Sequence, residues 1–289
     1  MTIPWTPVFV EKATGDQSAA QLEAEHGGIT KDARLNEYYD FVGRRLLPFS
    51  SRRDFTHTFK VLESRKIINA FALGNGNVYV TRGLLDMLDD EAELAEIAGH
   101  EIGHVANRHI AQKIDQAVGL MGLMALAEGV YAVQKGDKVS ESSQRLIDTA
   151  NAVVPALVLS GFGRAQELES DEDGLKYMAR AGYDPTGSVR VFQKFQKLEG
   201  QVPALEVFFR SHPLAKTRIS DLEARIASKY PGVSGESYRS RFQNIVRGGS
   251  SLADEVATTV LGVPLRTIGL VAGGTVLAVG LGVVVVSVL

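Results

Sequence analysis

Apolar positions along the chain first recur with a helical period. In residues 31–47, Leu35, Tyr38, Tyr39, Val42, Leu46 and Leu47 fall on one side of a helix. The period then drops to two. Residues 55–62 alternate as a strand, and 67–73 and 78–81 read as two more strands around Gly74, Asn75, Gly76 and Asn77. The Asn75-Gly76 pair predicts a tight type I′ hairpin turn, which requires positive φ at both central residues. Beyond it, Asp90 followed three residues later by Glu93 marks a helical capping box, and Leu94, Ile97, Ile102 and Val105 carry an amphipathic helix to about Ile110. A small sheet preceding a mostly helical remainder predicts an α+β fold.

The pattern ends differently. The 22 residues from position 268 to 289 contain no charge and consist of Val, Leu, Ile, Ala and Gly with one Thr and one Ser. That length meets the ~20 residues a helix needs to cross a bilayer, so 267–289 is expected to be a hydrophobic helix anchoring the chain in a membrane. A buried terminal helix or a hairpin is the alternative, because Val- and Gly-rich sequence forms helices poorly in water. Gly269 and Gly273 form a GxxxG pair, a weak signal for a homodimer. Arg239, Arg241, Arg247 and Arg266 precede the tail and nothing basic follows it, which favours a tail-anchored protein in the cytoplasmic membrane with its body in the cytoplasm. At the other end, residues 1–17 carry no basic stretch leading into an apolar core, so no secretory leader is read there.

Composition narrows the chemistry. The chain has 289 residues, 31 Lys and Arg against 34 Asp and Glu, and a net charge of -3, which gives no support to nucleic-acid binding. Cys is absent, so thiolate zinc fingers, iron–sulfur clusters and a cysteine nucleophile are excluded, and any metal must be held by His and carboxylates.

His100-Glu101-Ile102-Gly103-His104 lies inside the amphipathic helix. Residues four apart are about 400° around the axis, so both imidazoles project from one face and can grip one ion. Zinc suits that pair, and Glu101 is placed to act beside the metal rather than on it. Chance yields this pattern in about one percent of chains of such composition, which makes two unrelated surface His a poor explanation. Gly99 and Gly103 each cost the helix about 1 kcal/mol and imply a close approach to its backbone. His109 falls about 140° off the ligand face and reads as structural.

A catalytic zinc takes three protein ligands, so one more is needed. In the segment 164–174, Glu167 and Asp171 sit one turn apart, where like charges repel unless something positive lies between them. Glu167 is then expected to bind the metal and Asp171 to accept a hydrogen bond from the outer nitrogen of a liganding His. A solvated acidic face has the same spacing. His212 before Pro213 reads, by itself, as a helix boundary.

Residues 68–73, the hairpin, 78–85, Glu91 to Leu94, HEIGHVANRH and ELESDEDG at 167–174 together resemble the zinc metallopeptidase family that includes HtpX, BepA, the Oma-type enzymes and the CaaX prenyl (Ste24-type) protease. The likeness covers roughly residues 35–228, and Ser170 stands where that family's ExxxD motif usually has Ala. It implies a mainly helical zincin-like domain of the gluzincin type, one Zn2+ on His100, His104 and Glu167, and Glu101 as catalytic acid/base. It also implies that His212 faces the metal, as a donor to the oxyanion or as a reversible plug, with Arg218 as oxyanion or substrate support. The hairpin, through Asn69, Ala70 and Phe71, is expected to bind an extended peptide by strand addition.

The chain is thus read as an N-terminal extension (1–30), a zinc metallopeptidase domain (31–230), a linker (231–266) and a membrane anchor (267–289). Apolar stretches 117–133 and 146–163, broken by Glu128 and by Asp148 and Pro155, are short for spans and predict helices over the active site or at the membrane surface. The expected activity is zinc-dependent hydrolysis of peptide bonds in misfolded or membrane-associated proteins. The alternative is a zinc-stabilised chaperone or membrane adaptor without proteolysis.

Overall fold

A computed structural model describes residues 4–52, 56–213, 216–261, 275–279 and 282–286. The chain enters through α1 (Val8–Glu25) and α2 (Ala33–Leu46), passes a 3-10 turn and forms β1 (Thr58–Leu62), β2 (Ala70–Ala72) and β3 (Asn77–Thr81). Then come α3 (Arg82–Met87), α4 (Glu91–Ala106), α5 (His109–Lys135), α6 (Glu141–Leu159), α7 (Arg164–Arg180), α8 (Thr186–Leu198), α9 (Leu205–Ser211), α10 (Lys216–Lys229), α11 (Arg239–Val246) and α12 (Leu252–Leu261). The α+β expectation holds.

The sheet has the order β1-β3-β2, with β1 parallel to β3 and β2 antiparallel to it, Phe71 opposite Tyr79. The hairpin turn differs from expectation. Of the turn residues only Gly76 has positive φ (89°), and Gly76 N–H bonds back to Leu73 C=O at 3.0 Å. Asn75 keeps an ordinary backbone because its side chain is engaged: Oδ1 accepts from Asn77 N at 3.0 Å and Nδ2 donates to Asp16 Oδ1 at 2.7 Å. A turn closed by one left-handed glycine therefore replaces the type I′ form.

Helix α4 is the centre of the molecule, with every residue from 91 to 105 buried. It lies against α7, and the glycines of the motif are the reason the two come so close. A Cβ on Gly99 would sit 3.0 Å from Gly174 Cα, and one on Gly103 3.1 Å from Ser170 Cα. The backbone the sequence expected to approach α4 is α7, and Ser170 is small for the same reason. Around this pair, α2, β1, β3 and α8 supply the main core, including Tyr38, Phe59, Val80, Ile97, Tyr177 and Phe195.

Helices α5 and α6 form an arm beside it. Gly119 (φ 64°, ψ 175°) breaks α5, and its two halves bend by 114°. The arm's inner side packs Leu123, Val154, Val158 and Phe162 against Leu22, Phe71 and Tyr79, while Leu126, Val130 and Ile147 enclose Val10. Helix α1, placed by composition in an extension, is thus packed on the arm. Helix α11, placed in the linker, is tied to α4 by Arg241, whose Nε and Nη2 bond both oxygens of buried Glu91 at 2.6 and 2.5 Å.

The tail departs from expectation. Its described residues are two strands, β4 (Thr275–Val279) and β5 (Gly282–Val286), paired antiparallel, and not one helix. Consecutive β-branched Val side chains favour strand over helix, the alternative the composition had left open. Gly269 and Gly273 lie outside the described residues. Among the described residues no single helix is long and apolar enough to cross a membrane.

Candidate active site

The site is built where α4 meets α7. The Asp90 side chain starts α4 by accepting from Glu93 N at 3.1 Å, while Glu93 Oε2 turns back one residue further than a capping box requires, to Asp89 N at 2.8 Å. Two turns on, His100 and His104 face the same way with their Nε2 atoms 3.0 Å apart. Helix α7 presents Glu167, its Oε2 3.6 Å from His100 Nε2 and its Oε1 3.5 Å from His104 Nε2. His212, the C-cap of α9, places Nδ1 3.2 Å from His100 Nε2 and 3.3 Å from Glu167 Oε1. All four residues are buried, and one ligand atom of each lies within 4.8 Å of the others. A tetrahedral zinc with bonds of ~2.0–2.1 Å has ligand–ligand edges of about 3.3 Å. The edges here, 3.0 to 3.6 Å, fit that ion.

The proton inventory points the same way. His100 Nδ1 donates to Asp171 Oδ1 at 2.9 Å, which leaves Nε2 of the neutral ring with a lone pair aimed at the centre. Burial drives the His104 imidazole far below its ordinary value, so this ring is neutral as well. Although burial opposes it, His212 and Arg218 hold the Glu167 carboxyl well below the usual range, and it faces the centre as an anion. Lone pairs and negative charge converging inside a protein require a cation among them.

Asp171 is where the sequence expected it, behind His100. Arg218 fixes it there, with Nε 2.7 Å from Asp171 Oδ2 and Nη2 2.6 Å from Oδ1. The same guanidinium reaches Glu167 Oε2 through Nη1 at 2.8 Å and Pro213 O at 3.2 Å, and it lies over the Phe192 ring. With its nitrogens turned to these partners, Arg218 clamps the two carboxylates of α7 and offers nothing to a substrate.

Glu101 is buried and stands outside the ligand group, its Oε1 3.3 Å from His212 Nε2. Burial raises its carboxyl above the ordinary value. His212 Nε2 also lies 3.3 Å from Ala70 O, so this ring touches the metal ligands, the acid/base candidate and the edge strand together. Although burial opposes it, Glu101 and Glu167 raise the His212 imidazole.

The strand residues divide. Thr81 N donates to Asn69 O at 3.0 Å and Leu73 N to Asn77 O at 2.8 Å, so Asn69, Phe71 and Leu73 turn their peptide groups to β3. Ala70 and Ala72 turn theirs to the open edge beside the site. The Phe71 ring points away, between His26 and Tyr79 with centroids 5.0 Å from each, and Asn69 Oδ1 accepts from Ser211 Oγ at 3.2 Å. Phe162, after α6, closes the site by stacking on His104 with centroids 3.9 Å apart. Lys113 Nζ lies 3.9 Å from the far face of that ring and bonds Leu157 O at 2.6 Å.

His109 is the residue that sequence reasoning missed. The helical projection placed it away from the metal, but α4 ends at Ala106, and Arg108 adopts a left-handed backbone (φ 56°) that turns His109 back beside His104. Their Nδ1 atoms are 2.8 Å apart. The available signal was Asn107, a residue type that favours helix ends over helix interiors.

With this geometry in hand, comparison with known proteins is specific. The model for peptidase family M48 matches residues 33–226. The "Beta-barrel assembly-enhancing protease" of Yersinia pestis is 28% identical over 86% of this chain and 50% of its own length. The "Mitochondrial metalloendopeptidase OMA1" of Arabidopsis thaliana is 35% identical over 53% of this chain and 28% of its own. The "Metalloprotease LoiP" of Escherichia coli K12 is 32% identical over 56% of this chain and 60% of its own. The chain spans at most about half the length of the first two relatives and under two thirds of the third.

Proposed function

The chain belongs to peptidase family M48, and from that premise we propose that it is a zinc-dependent endopeptidase of protein quality control, acting on misfolded or membrane-associated proteins. The observation that carries this reading is the convergence of His100, His104 and Glu167 on one point, with Glu101 beside it. His100, His104 and Glu167 would hold the ion, which when bound supplies an acidified water and polarises the scissile carbonyl. We assign the peptidase unit to residues 31–230.

The chain's own groups do the rest. Glu101 takes the proton released as the nucleophile attacks and returns it to the leaving amine, a role for which a carboxyl raised by burial is suited. An extended peptide pairs with the open edge of β2 through the Ala70 and Ala72 peptide groups, which presents one carbonyl at the centre. His212 donates to the carbonyl oxygen as charge develops there. Asp171 and Arg218 keep His100 in the tautomer that leaves Nε2 free. Phe162 shields the ligands from solvent.

A second reading has its own support. His212 Nδ1 occupies the fourth corner of the ligand group, where a working catalytic site keeps an open position, so a plugged, proteolytically silent holdase is the competing function. Zinc content measured together with casein cleavage separates the two. Zinc with cleavage that a chelator abolishes supports the peptidase, and zinc without cleavage supports the holdase. The finer localisation, attachment to a membrane through the uncharged tail, is supported by composition. It is tested by liposome flotation of the full chain against a chain ending at residue 266.

A further inference from the structure

The two histidines of the metal group are supported in different ways, and the second support has no assigned role. Behind His100 stands a carboxylate, Asp171, itself held by Arg218. Behind His104 stands another imidazole. His104 Nδ1 and His109 Nδ1 are 2.8 Å apart, His109 Nε2 lies 3.2 Å from Glu169 Oε2, and His109 is fully buried. We propose that His109 and Glu169 are positioning residues for the metal ligand His104, a relay in which one carboxylate sets the tautomers of two successive rings. The inference rests on the metal-site reading above and deepens it.

The argument follows the protons. A carboxylate only accepts, so Glu169 draws the single ring proton of neutral His109 to Nε2. His109 Nδ1 is then left as an acceptor, and the contact at 2.8 Å needs His104 to supply the proton from its own Nδ1. His104 Nε2 is thereby stripped of hydrogen and faces His100 Nε2 and Glu167 as a lone pair. The reversed arrangement would place a proton on His104 Nε2, in the middle of the ligand group. The outer partners of both rings thus converge on Nε2 as the ligand atom.

The fold spends strain on this placement. Arg108 is one of two non-glycine residues with positive φ among the described residues, and it stands immediately before His109. Its side chain is held by Glu11 of α1, with Nε 3.0 Å from Glu11 Oε2, and by the Thr6 carbonyl. A non-glycine residue held in this backbone region by surrounding bonds is the mark of a position fixed for use. The amino-terminal helix therefore acts, through Arg108, on the ring that orients a metal ligand.

The test is zinc affinity of the full chain, by chelator competition, in four proteins. His109→Phe keeps a ring and removes the acceptor, His109→Gln keeps an acceptor, and Glu169→Ala removes the carboxylate from a part-exposed site. His100→Ala is the control. The expected results are a loss of about 10–100-fold for His109→Phe, a smaller loss for Glu169→Ala and partial recovery for His109→Gln. The thermal midpoint of zinc-free Glu169→Ala stays at the wild-type value. Wild-type affinity in both His109→Phe and Glu169→Ala would overturn the relay. If His109→Phe does not fold, Glu169→Ala alone decides. Failure of the underlying reading looks different, because the wild-type chain then takes no zinc or His100→Ala binds as well as wild type.

Discussion

The α4–α7 pair and the α5–α6 arm are both helical and adjacent, yet they are built on opposite terms. In the pair, glycines at 99, 103 and 174 bring backbones into contact and every side chain of α4 from 91 to 105 is buried. In the arm, a single glycine breaks α5, and Met124, Tyr131 and Val133 stay 62%, 52% and 55% exposed. Catalytic groups need placement to within fractions of an ångström, which close-packed helices supply and a bent, half-covered hairpin does not. The arm's role is at its base, where His109, Lys113 and Phe162 bear on the metal group from outside. Precision sits in one region and cover in the other.

That contrast can be broken or sharpened, and the largest effect belongs to the pair. Glu101→Gln is expected to retain stoichiometric zinc and lose about 10²–10⁴-fold in kcat/KM, measured on an extended peptide. Near-wild-type cleavage by that variant would remove Glu101 from the reaction. Arg218→Ala comes next. It leaves Asp171 and Glu167 buried as anions without their cation, and urea unfolding of the zinc-free chain should show a loss of about 3–5 kcal/mol.

A direct comparison of packing follows. Gly99→Val forces α4 from α7 and should cost about 1–3 kcal/mol. Val133→Ser on the arm should stay within about 0.5 kcal/mol of wild type, so equal effects at the two sites would erase the distinction. The smallest effect is at the arm's base. Burial lowers the Lys113 ammonium from 10.5 to about 8 in the folded chain, so the unfolded chain binds this proton more tightly. Folding releases it between about pH 8 and 10.5, and the stability of wild type relative to Lys113→Met should rise with pH across that window. A flat or falling difference in urea midpoints between pH 7.5 and 10 would place Lys113 in solvent.

The two regions were also unequally legible. His100, His104 and Glu167 could be read because four-residue spacing on unbroken helices maps onto one face, and the structure keeps both helices whole. His109 escaped because the projection assumed a helix that ends at Ala106. His212 and Arg218 became visible only through family likeness, since nothing local brings α9 and α10 to α4. At the hairpin, Asn75-Gly76 marked the turn correctly but not its type, which the side-chain bonds of Asn75 decide. In the tail, length and the absence of charge spoke for a helix while β-branched residues spoke for strands, and the second signal prevailed in the described part. Local pattern finds chemistry carried by one element; chemistry assembled from several elements, or from a break in one, needs the fold.

The most direct test of the central claim is X-ray absorption at the zinc K-edge of the metal-loaded full chain. One zinc per chain is expected, with a first shell of nitrogen and oxygen at ~2.0–2.1 Å and outer-shell scattering from at least two imidazoles, lost in His100→Ala. A first shell of water oxygen alone, without imidazole scattering and unchanged in that variant, would contradict a metal held between α4 and α7.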